Sequence, residues 1–253
     1  DKHQTFNTDS IHAPHVWTAP GYSGWPMTAK IKCWGGGAGG GAGNYESLAG
    51  GGGGGGAYVE KTITYKPGQK FDIYVGAGGS PGTAGGSDGT FGGDTYVTES
   101  SSTTTLALAA GGSGGEGAQP LLVGGGGGQG GHPFRCVGDN IFDGSSGSAN
   151  NTHGRLGGTG VGSYKGGRGG LGASNQDSGD ARSGNFPGGG GGGGSTYSTP
   201  DGHVFETYQN VNPKAGATGP GTYHFGGQGS DGRVIIEYNN DPNSLLIGPS
   251  CGF

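Results

Sequence analysis

Lys30-Ile31-Lys32-Cys33-Trp34-Gly35-Gly36-Gly37-Ala38-Gly39-Gly40-Gly41-Ala42-Gly43 decides how this chain folds. Residues 28–34 alternate, with Ala29, Ile31 and Cys33 on one side and Lys30 and Lys32 on the other, which is the pattern of a half-buried strand. The strand then runs straight into residues without side chains. Glycine supplies 70 of the 253 residues, mostly in short blocks such as 35–43 and 51–56 between strand-like segments. Because glycine loses the most backbone entropy on folding and buries no side chain, such composition by itself argues for disorder. The placement of the glycines argues against it.

In several blocks glycine recurs at every third position: Gly79, Gly82, Gly85; Gly86, Gly89, Gly92; Gly111, Gly114, Gly117; Gly154, Gly157, Gly160; Gly166, Gly169, Gly172; and Gly226, Gly229, Gly232. Polyproline-II geometry has three residues per turn, so this spacing bares one edge of an extended helix. Bare edges let backbones approach closely, and N–H groups unpaired within their own helix can then reach the carbonyls of neighbours. The chain lacks a proline-rich Gly-X-Y repeat, and its blocks are short, so an intramolecular bundle of polyglycine-II helices is expected rather than a triple helix. Nine residues at about 3.1 Å each span roughly 28 Å, a domain dimension.

Outward from the opening stretch, residues 57–65 read as a strand with Val59 and Ile63 in phase. Lys66-Pro67-Gly68-Gln69 is a turn with proline and glycine at its two central positions, and Phe71, Ile73 and Val75 resume the alternation. These two segments are expected to pair as an antiparallel hairpin. Residues 95–97 and 104–110 add two short strands, and 233–238 a last one that should return to pair with the early strands. No stretch carries uninterrupted helical periodicity. The expected fold is all-β: a small antiparallel β-sandwich combined with a polyglycine-II bundle, with almost no α-helix. The expected divisions are an extended arm or edge strand (1–26), the glycine-rich domain (27–238, with a polyglycine-II insertion at about 111–232) and a tail (239–253).

Composition excludes several functions. Net charge is −5 with 12% charged residues, which provides no footprint for nucleic acid and no basic face for anionic membranes. Mean hydropathy is −0.49, and no apolar run approaches the length of a membrane span. Asp1 shows neither an initiator Met nor a signal-peptide pattern, so the chain is expected to be processed or excised. Cys33, Cys136 and Cys251 are too few for a disulfide scaffold, and since Cys33 lies within a strand, Cys136 with Cys251 is the candidate bridge in an oxidising compartment. Asn150-Asn151-Thr152 is a glycosylation acceptor pattern.

The order of motifs resembles a known family. Lys30-Ile31-Lys32-Cys33-Trp34 before Gly35-Gly36-Gly37, Gly55-Gly56-Ala57-Tyr58-Val59, Phe71-Asp72-Ile73-Tyr74-Val75 before Gly76-Ala77-Gly78-Gly79, Leu106-Ala107-Leu108-Ala109-Ala110 before Gly111-Gly112, and Gly232-Arg233-Val234-Ile235-Ile236 resemble the glycine-rich domain of phage tail-fibre and secreted proteins. A similar layout occurs in the extracellular glycine-rich domain of the anaplastic lymphoma kinase family and in T-even-like phage tail-tip adhesins. The resemblance implies an architecture and brings no catalytic residue.

Glycine density also generates spurious motifs. Ser113 and Ser80 sit at nucleophile-elbow spacing, but no helix follows either, and no Gly-Lys-Ser/Thr exists to bind a nucleotide phosphate, so neither an enzyme nor a cofactor is expected. Asp231, in a single nonapeptide-like stretch, is a calcium candidate weighed against a plain turn; no other metal site is expected. His132, Phe134, Tyr164, Phe186, Tyr197, Tyr223, His224 and Phe225 lie between glycine blocks and are candidate binding residues on loop tips, or caps over the bundle ends. Phe6, Trp17 and Trp25 in the arm, and Leu245, Leu246, Ile247 and Phe253 in the tail, are candidate assembly contacts. Together these point to a non-enzymatic extracellular structural protein, a fibre or appendage subunit whose partner is itself or another fibre protein. The alternative is a phage or bacterial adhesin displaying aromatic loops to a cell-surface receptor. Either reading places the chain outside cells or on a virion.

Overall fold

The structure, a computed structural model, describes residues 2–7, 14–21, 26–43, 49–83, 86–102, 104–118, 125–148, 165–167, 169, 181–192 and 225–238. These residues contain nine strands, β1 (Lys2–Phe6), β2 (His15–Thr18), β3 (Met27–Trp34), β4 (Tyr58–Tyr65), β5 (Lys70–Tyr74), β6 (Thr95–Glu99), β7 (Thr105–Ala109), β8 (Asn140–Phe142) and β9 (Arg233–Tyr238). The one helical element among them is a 3₁₀ turn, Pro133–Arg135. All strand pairs are antiparallel, in a five-stranded sheet ordered β1-β9-β3-β4-β8 and a four-stranded sheet ordered β2-β5-β6-β7. The fold is all-β, as the alternation requires.

The sheets bury one apolar core between them. Ala29, Ile31 and Cys33 of β3, Val59, Ile63 and Tyr65 of β4, and Val234 and Ile236 of β9 meet Trp17 of β2, Phe71 and Ile73 of β5, Val97 of β6 and Ala107 and Ala109 of β7. Burying each large side chain contributes about 1.5–3 kcal/mol. Burial pushes the Cys33 thiol well above its ordinary range, which makes it an inert core residue.

The turn at Lys66-Pro67-Gly68-Gln69 forms as expected: Gln69 N–H donates to the Lys66 carbonyl at 3.1 Å, and Gly68 has φ of +81°. It does not close a hairpin, however. β4 pairs with β3 along its whole length and with β8 at Tyr58–Glu60, while β5 crosses to the second sheet, between β2 and β6. The N-terminal segment takes the edge-strand form of its two expected readings. β1 pairs with β9 and β2 with β5, so both edges on that side of the sandwich are built from residues 1–26 and belong to the domain. Within residues 111–232, expected as a polyglycine-II insertion, β8 adds an edge strand to the first sheet.

At one end of the sandwich the strands run on into glycine segments that hydrogen-bond through their backbones. Residues 35–42, continuing β3, occupy the middle. Gly35, Ala38 and Gly41 donate to Ala57, Gly54 and Gly51; Gly36, Gly39 and Ala42 donate to Gly93, Thr90 and Ser87; Gly37 and Gly40 donate to Ser230 and Gly227. In return Gly112, Gly115 and Ala118 donate to Gly36, Gly39 and Ala42, Gly79 and Gly82 donate to Gly37 and Gly40, and Gly191 donates to Ala38, all these bonds being 2.8–3.0 Å. Every third residue thus faces the same neighbour, and one segment is surrounded by six. At its glycines the spacing admits no side chain: a Cβ on Gly36, Gly37, Gly39 or Gly41 would lie 2.0–2.4 Å from a neighbouring carbonyl oxygen, while Ala38 and Ala42 are fully buried.

Outer segments have N–H groups that face away from any neighbour, and polar side chains satisfy them. Gly111 N–H donates to Asp94 Oδ1 at 2.9 Å, Gly117 N–H to Asp88 Oδ1 at 2.7 Å, Gly78 N–H to Asp231 Oδ1 at 2.7 Å and Gly76 N–H to the buried Thr95 Oγ1 at 2.9 Å. A carboxylate accepting a backbone N–H makes a charge-assisted bond, which is stronger than the neutral bonds inside the layer.

Candidate functional site

The N-terminal edge is the first candidate. Phe6, opposite Val234, is the buried member of β1, whereas Lys2, His3, Gln4 and Thr5 are exposed. On β2, Trp17 is 2% exposed and its indole meets Tyr65, Phe71 and Tyr238 at centroid distances of 5.4–5.7 Å. Phe6 and Trp17 are therefore buried in the core of the sandwich. Alternation puts one face of each edge strand over an apolar interior that would otherwise be wet. Asn7 latches the point where β1 ends: His15 Nε2 lies 2.8 Å from its carbonyl oxygen, and Arg233 Nε donates to its Oδ1 at 3.1 Å. Trp25, Leu245, Leu246, Ile247 and Phe253 lie outside the described residues.

The loop aromatics divide. His132 caps the 3₁₀ turn, its Nδ1 accepting from Phe134 N–H at 3.4 Å, and the two rings stack at 4.9 Å. Phe134 is 93% exposed. The turn is held by Arg135, which donates from one terminal nitrogen to both oxygens of Asp94 at 2.9 and 2.7 Å, while Asp94 also caps Gly111. Beside it, Tyr74, Tyr96, Leu108 and Val137 form one cross-strand row on the outer face of the four-stranded sheet, with the two tyrosine rings stacked at 4.4 Å. Phe186 is elsewhere: its half-exposed ring lies under the Arg233 guanidinium at 4.1 Å, against the five-stranded sheet. Among the described residues, Phe186 is thus not brought together with His132 and Phe134. Phe225 is half-buried at the start of a glycine segment. Tyr164, Tyr197, Tyr223 and His224 lie outside the described residues.

Asp231 spends its Oδ1 on Gly78 N–H, and among the described residues no group of three or more His, Cys, Asp or Glu side chains gathers as a metal site. Cys136 is half-buried, with Ala110 N–H donating to its Sγ at 3.4 Å, and burial raises its pKa. Its suggested partner Cys251, and Asn150, lie outside the described residues. Ser113 and Ser80 belong to glycine segments, where Ser113 N–H donates to the Gln129 carbonyl.

A polar cluster on the outer face of the five-stranded sheet escaped the sequence reading. Glu60 accepts from Lys30 Nζ at 2.7 Å, from the buried Tyr58 hydroxyl at 2.7 Å and from Lys165 Nζ at 3.4 Å. The signal for the first pair was available, because Lys30 and Glu60 are diagonal neighbours once β3 pairs with β4. Lys30 and then Tyr58, by donating to it, hold the Glu60 carboxyl down to about 2. Burial, followed by the bond to Glu60, raises Tyr58. Since the folded pKa of Glu60 lies below the unfolded value of 4.5, its contribution is complete above about pH 4.5 and is lost as pH falls toward 2. Urea midpoints measured from pH 7 to pH 2 are expected to drop over that window. Glu60→Gln should start lower at pH 7 and drop less; an unchanged profile would remove Glu60 from the account.

A sandwich whose strand ends continue into glycine-rich, mutually hydrogen-bonded segments defines a glycine-rich all-β domain. The chain matches the family model described as glycine-rich domain over residues 14–239, and it belongs to that family. No curated protein matches it in sequence.

Proposed function

We propose that the chain is a non-enzymatic structural subunit of an extracellular or virion-surface fibre or appendage, and that its glycine segments are polyglycine-II helices forming a stiff body. The observation that carries this reading is the glycine layer, in which one segment is hydrogen-bonded to six neighbours with a period of three. Such a layer spends sequence on rigidity, which suits a building unit. Its partner is a second copy or another fibre protein. Electron microscopy of the purified native chain over a concentration series is expected to show filaments. Single particles at every concentration would count decisively against a self-assembling subunit.

One observation favours the second reading, an adhesin. Phe134 is almost fully exposed on a turn fixed by the Arg135–Asp94 ion pair, a rigid aromatic tip of the kind that anchors interfaces. Under that reading Phe134→Ser should abolish attachment to receptor-bearing cells without altering the melting temperature, whereas undiminished attachment argues for the fibre.

A further inference from the structure

We propose that β1 is an exchangeable strand: in the assembled state the β9 edge of each copy is completed by β1 of a second copy. This rests on the fibre-subunit reading above and names the contact that joins its units.

Three observations carry the inference. First, β1 is weakly embedded. On the face where β9 buries Val234 and Ile236, β1 places Lys2, Gln4 and Phe6, and Phe6 alone is buried. The side-chain anchor is thus a single ring, and the rest of the strand is held by backbone pairing that any chain of the same sequence reproduces. Second, β1 and β2 pair in different sheets and meet at His15, which touches the Phe6 ring and the Asn7 carbonyl. β2 belongs to the other sheet and is fixed by Trp17 deep in the core, so β1 can leave while the remainder of the sandwich stays closed. The chain between Asn7 and Pro14 sets the reach, at most about 3.3–3.6 Å per residue, or roughly 25 Å. Third, the place β1 vacates is specific. Its register on β9 runs from Lys2 opposite Tyr238 to Phe6 opposite Val234, with the Asn7 latch to His15 and Arg233 at its end. An open β9 edge with a hole where Phe6 sat admits the identical strand best, and exchange of an identical element creates an interface without any new surface. When each copy donates to the next, the relation is head-to-tail and propagates unless the rotation closes a ring.

A cysteine pair reads the exchange directly. Thr5 and Ile235 are opposite on the outward face, and antiparallel partners stand at Cα separations of about 4.5–5.5 Å, within the range a disulfide spans. Thr5→Cys with Ile235→Cys is placed in the full chain carrying Cys136→Ser and Cys251→Ser; His3→Cys with Glu237→Cys serves as the second pair should the first fail to fold. After oxidation at assembly concentration, denaturing non-reducing gels are expected to show a ladder of covalent multimers that collapses to monomer on reduction. Filaments by electron microscopy whose chains run only as cross-linked monomers would overturn the exchange and leave the fibre reading standing. A covalent closed dimer without filaments would support the exchange and remove the fibre reading. Single particles with the link entirely within one chain would overturn both.

Discussion

Gly39→Ala is expected to prevent stable folding, with a loss of about 4 kcal/mol or more, beyond the usual range for a single added methyl group. A Cβ at residue 39 would lie 2.0 Å from the Ser80 carbonyl oxygen, 2.5 Å from the Ser80 carbonyl carbon and 2.9 Å from Pro81 N. These atoms are backbone, and they belong to a segment already tied to residues 37 and 40 by the N–H groups of Gly79 and Gly82. A flexible side chain could swing aside; this neighbour can retreat only by breaking those bonds. Segment 35–42 also has five other partners, so moving it away from Ser80 pushes it into another. Gly68→Ala is the control. Gly68 has positive φ but open space around a Cβ, so it should lose only about 1 kcal/mol of left-handed strain. Denaturant melts decide the matter: similar midpoints for the two variants would mean that the glycine layer yields easily and is not the rigid body described.

Trp17→Ala is expected to cost about 3–5 kcal/mol, the range for truncating a large buried aromatic. The indole sits among Tyr65, Phe71 and Tyr238, bridging the two sheets. The same truncation at Phe134, almost fully exposed, should change stability by less than about 0.5 kcal/mol. The comparison separates a domain that includes its N-terminal strands from one that carries them as a loose arm. A neutral Trp17→Ala would restore the arm.

What could be read in advance divides along physical lines. Alternation exposed β3, β4, β5 and β9, because each buries one face and the period of two survives in Ala29-Ile31-Cys33 or Val234-Ile236. The triplet period exposed the glycine segments for the same local reason. Pairing was harder, since turn chemistry at Pro67-Gly68 is the same whether the flanking strands are partners or lie in opposite sheets. Only tertiary pairing decides that, and β8, which joins β4 at Tyr58–Glu60, has just Asn140, Ile141 and Phe142, too short for any periodic signal. In β1 the polar face of Lys2 and Gln4 hides the strand, and Phe6 looked like an exposed aromatic because its partner Val234 is more than two hundred residues away in sequence. Of the candidate binding residues, the sequence could pick out Phe134 as a loop aromatic. The Asp94 contact that steadies its turn depends on tertiary placement.

The glycine layer also has a calorimetric consequence. Exposing apolar surface on unfolding raises heat capacity by about 0.45 cal/mol/K per Å², while exposing polar surface lowers it by about 0.26. Unfolding residues 35–42 and their neighbours bares mainly amides, so this chain should fall below the usual increment of about 12–15 cal/mol/K per residue. Its free energy of unfolding would then bend only gently with temperature, and a body built this way would keep its margin in near-freezing water as well as in warm.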